Sequence, residues 1–433
     1  EPHRGAAEEQ GPAPRRWARL LSVPVAGRWR YPFYLLTCVV FLGIVFVRGG
    51  PNPAETDAHA VTFPTTAISH GDLRLAEEET YVPNPPGYPL LMAPVVSVLR
   101  PWIGSPRWCD DKAIPAVLRG PGSSYYRRIL TPCSRALAVR GTGAVLLLRA
   151  AGAGGGVGEL VLVGALLVLP ATTDAVAQSF HPQDLMSVGF TCAGLSQVLR
   201  RRWATAGVAF GAAFLCKQFA LLGLIGVLAL APGWRPRLRL VLPAAAVIAA
   251  AVVPFYAVDA TGTVHALSAV YVSGAGVEKT PTMVGLLGLS EQTKLELARD
   301  LPLVAAVGLA LALWSRRRRR PASPSEPLAL IGLGLACLSL RLVFEVAILD
   351  YYFLAVGVFL LVLDVARRRV PLWSVGWVVA MRFGLTWLAP RGPFDLTAAA
   401  FLALSLLPVV LGLGVVTAPP GTTSSGAVVG EMR

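Results

Sequence analysis

Few residues in this chain have side chains suited to chemistry, and they fall into three groups. The first follows the first long apolar run: Glu55, Asp57 and His59, at alternate positions of Glu-Thr-Asp-Ala-His. Alternate residues of an extended segment share a face. A carboxylate there can serve as a base, taking a proton from an acceptor hydroxyl while a leaving group departs as an anion. The plainer reading is a solvated loop acid. His59 would orient Asp57 or bind a substrate hydroxyl, or be an incidental loop histidine. The second group is His181-Pro-Gln183-Asp184, which opens an apolar run. Pro182 suits the first turn of a helix, where a missing N–H costs nothing. Asp184 either favours that helix N-terminus electrostatically or lines a polar site. The third group is cationic. Lys217 stands between two apolar runs, Arg341 lies four residues before Glu345, and Arg382 sits inside an apolar run with no local partner. Cations at such depth are kept when they pair with an acid or bind an anion. Lys217 is read as binding an anion, a lipid-linked phosphate. Arg382 is a second phosphate site or the partner of an acid on another helix. Arg341 and Glu345 share a helical face and can neutralise each other. Tyr351 and Tyr352 begin a further run, where an aromatic belt is expected in any case.

The elements that must position these residues are membrane spans. The chain has 433 residues, 54% of them hydrophobic and only 15% charged, with a mean hydropathy of +0.59. That is too apolar for a soluble domain of this length. A net charge of +14 invites a nucleic-acid reading, but the arginines cluster between apolar runs instead of along one aromatic-interleaved face, so no nucleic-acid partner is expected. The pattern predicts an all-α polytopic bundle of about 10–12 spans. Residues 1–30 form a basic cytoplasmic tail, 31–417 a single transmembrane domain, and 418–433 a polar C-terminal tail. Within the domain, 48–133 is a long exterior segment with short interfacial helices, Leu90–Leu99 among them. The runs 204–216 and 219–231 are short and suit full spans or a re-entrant hairpin. Arg200–Arg202, Arg235–Arg239, Arg316–Arg320 and Arg367–Arg369 then all fall on the side of the N-terminus, as basic short loops should. The His, Asp and Lys residues named above fall on the other side. Four cysteines, Cys38, Cys192, Cys216 and Cys337, read as small buried residues, whereas Cys109 and Cys133 share the exterior segment and can pair there. No Cys/His spacing suggests a metal centre.

A first span, then an exterior acid (Asp57), then Tyr81-Val-Pro-Asn-Pro-Pro-Gly-Tyr-Pro-Leu-Leu-Met-Ala-Pro94 leading into an apolar run, with many later spans, resembles the GT-C superfamily of integral membrane glycosyltransferases. The block His181-Pro-Gln-Asp184, Arg-Arg-Arg-Trp203, Ala206-Gly-Val-Ala-Phe-Gly211 and Lys217-Gln-Phe-Ala-Leu-Leu222 is similar to a pattern in actinobacterial DUF2029, or GT87-like, polyprenyl-phosphate-mannose-dependent mannosyltransferases. The resemblance implies a GT-C fold and an inverting transfer of a sugar, mannose favoured, from a polyprenyl-phosphate donor. The acceptor would be a hydroxyl of a glycolipid or envelope glycan on the outer face of a bacterial cytoplasmic membrane, with membrane lipids as the surroundings. Asp57 would be the catalytic base. Glu55, His59, Tyr81, His181, Gln183, Asp184 and Tyr351 would line the substrate site, and Lys217, Arg341 and Arg382 would neutralise the departing phosphate. The chain departs from the family in having Glu55-x-Asp57 where two acids are paired, and in the expected lack of a large soluble C-terminal domain. The resemblance implies no certain cofactor and admits a divalent cation.

The rival class is a secondary transporter or flippase, for which about twelve spans with both termini inside is a common plan. Such folds carry internal repeats and ionisable sites near the bilayer midplane. No convincing two-fold repeat is found, and the long first exterior segment breaks the likeness of the halves. A non-catalytic scaffold explains the spans but not the one-sided collection of His, Asp and Lys. Replacing Asp57 with Asn removes basicity at constant size. Sugar transfer from polyprenyl-phospho-mannose in membranes is expected to fall by at least about 100-fold, with Glu55→Gln much milder; undiminished transfer by Asp57→Asn would exclude it as the base.

Overall fold

The computed structural model describes residues 14–47, 65, 68, 69, 71, 73, 86–103, 124–178, 181–268, 282–319, 327–346, 348–384 and 394–417. Glu55, Asp57, His59, Tyr81, Cys109 and the tail 418–433 lie outside these residues. In chain order the helices are α1 (Pro14–Ser22), α2 (Gly27–Val47), α3 (Gly87–Ile103), α4 (Ser124–Ala150), α5 (Val157–Val168), α6 (Pro170–Thr173) and a π-helical turn (Asp174–Gln178). There follow α7 (Pro182–Leu199), α8 (Trp203–Cys216), α9 (Ala220–Leu230), α10 (Trp234–Val258), α11 (Ala260–Ser268) and α12 (Glu291–Arg319). The chain closes with α13 (Pro327–Phe344), a 3₁₀ turn (Asp350–Tyr352), α14 (Phe353–Ala366), α15 (Leu372–Phe383) and α16 (Phe394–Thr417). Among the described residues the only β pairing is the isolated bridge Pro24–Gly156.

Every apolar run after the exterior segment is one of these helices, and the expected interfacial helix at Leu90–Leu99 lies within α3. The segment read as a tail holds α1 and the start of α2. Among the described residues, four helices, α10, α12, α13 and α16, are long and apolar enough to cross a membrane, or five if the bent pair α5–α6 is one crossing. The chain is thus an all-α membrane protein, of which about 10–12 spans were expected over its whole length. Four of the expected spans are short helices. Helices α8, α9, α14 and α15 have 14, 11, 14 and 12 residues, so at 1.5 Å per residue they extend only about 17–21 Å, against roughly 30 Å of hydrocarbon. Three of these, α8, α9 and α14, end or begin at the polar cluster described below.

Helices α13 and α14 are buried almost throughout and form the middle of the bundle. Around them, helices meet through small residues, which allow close backbone approach where lipid gives no hydrophobic drive between helices. A β-carbon on Gly189 of α7 would stand 2.5 Å from the carbonyl oxygen of Val139 on α4, and one on Gly143 of α4 would run into the carbonyl of Gly189. On α8, a β-carbon on Gly211 would stand 2.8 Å from the carbonyl oxygen of Ala244 on α10. Cys133 is a buried free thiol in the core beside Ala136 and Leu137. This face of α4 turns inward; Cys109, the expected partner of Cys133, lies outside the described residues.

The apolar stretch 157–176 is broken, with α5 and the segment after it bent by 56°. Pro170 has no N–H to give to Leu166, four residues back. The Thr172 hydroxyl donates to that orphaned carbonyl at 2.7 Å and accepts from Arg140 Nη1. Arg140 is fully buried, so its hydroxyl partner sits at the bend itself.

The two ends of the bundle differ in kind. At one end Glu159 of α5 accepts from Arg149 Nε at 2.8 Å and Nη2 at 2.5 Å, from the Gly155 N–H at 2.8 Å, and from the Tyr34 hydroxyl. This ties α2, α4 and α5 together. The turns holding Arg200–Arg202 and Arg235–Arg239, and the segment Arg367–Arg369, fall at this end: Val365 touches Gly158, and Arg237 Nε donates to Leu228 O at the end of α9. The other end receives the starts of α7 and α14 and the ends of α8 and α13. Substituting Gly189→Val should cost about 1–3 kcal/mol through overpacking at the α4–α7 crossing, seen as a lower thermal midpoint in detergent. Gly164→Ala, where a β-carbon meets nothing within 4 Å, should leave the midpoint unchanged or slightly raised.

Candidate functional site

Six of the residues singled out in the sequence come together at that second end. The π-helical turn leads the chain back, and the His181 N–H donates to Ala175 O at 2.6 Å, which aims the histidine into the bundle. His181 caps α7 by position but makes no capping bond with its side chain. Its ring instead stacks on Tyr351, with centroids 3.9 Å apart and planes 19° apart. Gln183 Nε2 donates to His181 Nδ1 at 2.9 Å. Asp184, in the first turn of α7, is placed to favour the helix N-terminus, but its carboxylate faces three other groups: His181 Nδ1 at 3.6 Å, Lys217 Nζ at 3.8 Å and Arg341 Nη1 at 3.9 Å.

Lys217 reaches this point because α8 stops at Cys216 and the next residue is extended. Ser187 of α7 donates to Ala213 O at 3.0 Å and to Lys217 O at 3.4 Å, holding the end of α8 against α7. Gln218 Nε2 donates to Leu267 O of α11 at 2.7 Å. Arg341 is in the last turn of α13. Its Nε donates to Glu345 at 3.1 Å, as the four-residue spacing implied, and it also faces Asp184, so it is shared between two acids.

Two residues missed as site residues fix the guanidinium plane. The carbon at its centre lies 4.0 Å from the ring centroid of Tyr352 and 5.0 Å from that of Phe219. Cation–π contacts of this kind contribute up to about 2 kcal/mol when desolvated. Tyr352 in turn stands edge-on to Tyr351, 4.8 Å between centroids at 89°. A closed circuit results: Asp184, His181, Tyr351, Tyr352, Arg341 and back to Asp184. The only sequence signal for it was adjacency, Tyr352 following Tyr351 and Phe219 following Lys217-Gln218. Arg382 does not join this circuit. Its Nη2 lies 3.4 Å from Asp174 Oδ1 on the π-helical turn, an acid of another helix. Glu55, Asp57, His59 and Tyr81 lie outside the described residues.

The cluster is layered by exposure. The side chains of Lys217 and Arg341 are each 17% exposed, while those of Asp184 and Glu345 are 3% and 10% exposed. Cations form the accessible rim and carboxylates lie behind. Two buried acceptors, Asp184 Oδ2 and Gln183 Oε1, have no hydrogen-bond donor among the described residues, and buried acceptors ordinarily have one. The arrangement can take an anion at the rim and hydroxyl donors behind it. No group of three or more His, Cys, Asp or Glu residues suited to a metal ion occurs among the described residues. In comparisons with known proteins the chain matches no family model, and no curated protein is significantly similar to it in sequence.

Asp184→Asn leaves two rim cations facing a neutral amide, and breaking a buried ion cluster this way should cost about 3–5 kcal/mol. Thermal unfolding in detergent should show it. Adding Lys217→Met should restore part of the loss, with a coupling above about 0.5 kcal/mol; strict additivity would mean that the pair does not interact.

Proposed function

We propose that the protein is a GT-C-type glycosyltransferase that moves a sugar, mannose favoured, from a polyprenyl phosphate to a hydroxyl of a glycolipid or envelope glycan. The reaction takes place at the outer face of the cytoplasmic membrane. The observation that carries this reading is the convergence of Lys217 and Arg341 on one buried carboxylate with their charged ends outermost. A departing polyprenyl phosphate develops negative charge on oxygen, and fixed cations at that point lower the barrier. Arg341 suits a phosphate, since its planar fork can donate two parallel bonds, and its plane is already held by Tyr352 and Phe219. Sugar hydroxyls would supply the donors that Gln183 Oε1 and Asp184 Oδ2 lack. Asp57 remains the base in this reading. In inverting transfer the acceptor oxygen forms its bond to the anomeric carbon as the bond to phosphate oxygen breaks; the acceptor proton goes to the base, and the phosphate leaves as the anion.

The transporter alternative places ionisable groups near the midplane. Here the cluster sits where α8 and α13 end and α7 and α14 begin. Lys217→Met should raise the KM for polyprenyl-phospho-mannose by about tenfold or more, the worth of one charge-assisted hydrogen bond, with the acceptor KM unchanged. Equal effects on both KM values would make Lys217 structural. Absence of any transfer by the unmodified protein, with donor and candidate acceptor glycolipids supplied, would overturn the reading.

A further inference from the structure

The arginine-rich end of the bundle carries a second pattern, independent of the polar cluster. Trp17, Trp29, Trp234 and Trp373 stand on α1, α2, α10 and α15 and are 56%, 63%, 64% and 75% exposed. Each has arginine beside it. The guanidinium of Arg28 lies 5.9 Å from the Trp29 ring and that of Arg235 5.7 Å from the Trp234 ring. Arg19 is exposed two residues after Trp17, and Trp373 follows Arg367–Arg369. The segments 14–30, 200–203, 231–240 and 367–372 contain no Asp or Glu. The positive charge at this end therefore has no acid within these segments.

Helix α1 shows how the pattern is oriented. At 100° per residue, Arg19 falls on one side of α1 and Trp17 and Leu21 on the other. Leu21 is buried where α1 lies on α5, and the backbone is fastened there by the Val157 N–H donating to Val23 O at 2.9 Å. Trp17 and Leu20 remain exposed beside it. Farther along the same bundle, Leu35, Leu36, Val39 and Val40 on α2 and Val241 and Leu242 on α10 are exposed and apolar. An occupant of this surface must offer hydrocarbon next to those side chains and an anion at the arginines. A nucleic acid offers only the second, whereas a phospholipid offers both in one molecule.

The geometry points to a belt of anionic phospholipid around this end, its phosphate and net negative headgroup held by Arg19, Arg28, Arg235 and Arg239, its chains against α2 and α10. Tryptophan rings sit at headgroup level, and guanidinium groups bind phosphate through parallel donors. A zwitterionic lipid brings the same phosphate with a cation that these acid-free segments repel.

The test uses the full chain in nanodiscs of equal phosphatidylcholine and phosphatidylglycerol, with native mass spectrometry counting the lipids that stay bound. Phosphatidylglycerol should be retained over phosphatidylcholine by roughly fivefold or more, the preference conferred by even one interfacial arginine. Replacing the four arginines together with Gln should bring the ratio close to one, and replacing them with Lys should keep most of it. Equal retention of both lipids by the unmodified protein, or full preference in the Gln variant, would overturn the inference. Should the Gln variant fail to fold, salt decides with the unmodified protein: about 0.5 M NaCl should collapse an electrostatic preference, and a ratio indifferent to salt would overturn it.

Discussion

A buried carboxylate, one oxygen of which has no hydrogen-bond donor among the described residues, is the constraint on which the polar end of this protein depends. Burying an ionised Asp184 costs several kcal/mol unless opposite charge comes close. Three helix termini bring it: Lys217 at the end of α8, Arg341 in the last turn of α13, and His181 at the start of α7. None of these contacts is shorter than 3.6 Å, so charge is offset while the strongest bonding positions of the carboxylate are left unused. Arg341 divides itself between Asp184 and Glu345 and takes its orientation from two aromatic faces. The guanidinium is thereby held in place from two sides, by charge and by aromatic faces.

The broken helix between α5 and α7 serves that constraint. Pro170 removes one hydrogen bond, and the Thr172 hydroxyl, itself taken by Arg140, replaces it. The chain then turns through the π-helical residues, where Asp174 holds Arg382, and delivers His181 to Tyr351. A straight helix over the same residues would carry His181 past the ends of α8 and α13. Local backbone irregularity thus positions the site, as π-helical turns often do.

The bundle is polar in the electrostatic sense. One end concentrates exposed arginine and tryptophan in segments without acids; the other concentrates buried acids with a cationic rim. Membrane proteins sort basic residues to one side, and that sorting leaves the opposite end free for chemistry that needs carboxylate and cation together. The two proposals made for this chain use opposite ends, so a transfer reaction and a preference for anionic lipid stand or fall separately.

By itself the sequence determined the helices and the sorting of charge. Apolar runs of the right period become helices wherever they occur, so nearly every run from 134 onward was legible, as was the Arg341–Glu345 pair, since four residues make one turn. Where a short apolar helix stops and bends was not legible, because composition does not say. Nor was the convergence on Asp184. His181, Asp184, Lys217, Arg341 and Tyr351 were each suspect by residue type, but only the packing of α7, α8, α13 and α14 brings His181, Lys217 and Arg341 within 4 Å of Asp184 and stacks Tyr351 on His181. Arg382 carried the same sequence signal as Arg341 and went elsewhere, to Asp174, because α15 packs beside the broken helix. Phe219 and Tyr352 looked like ordinary apolar and interfacial residues until tertiary structure set a guanidinium between them.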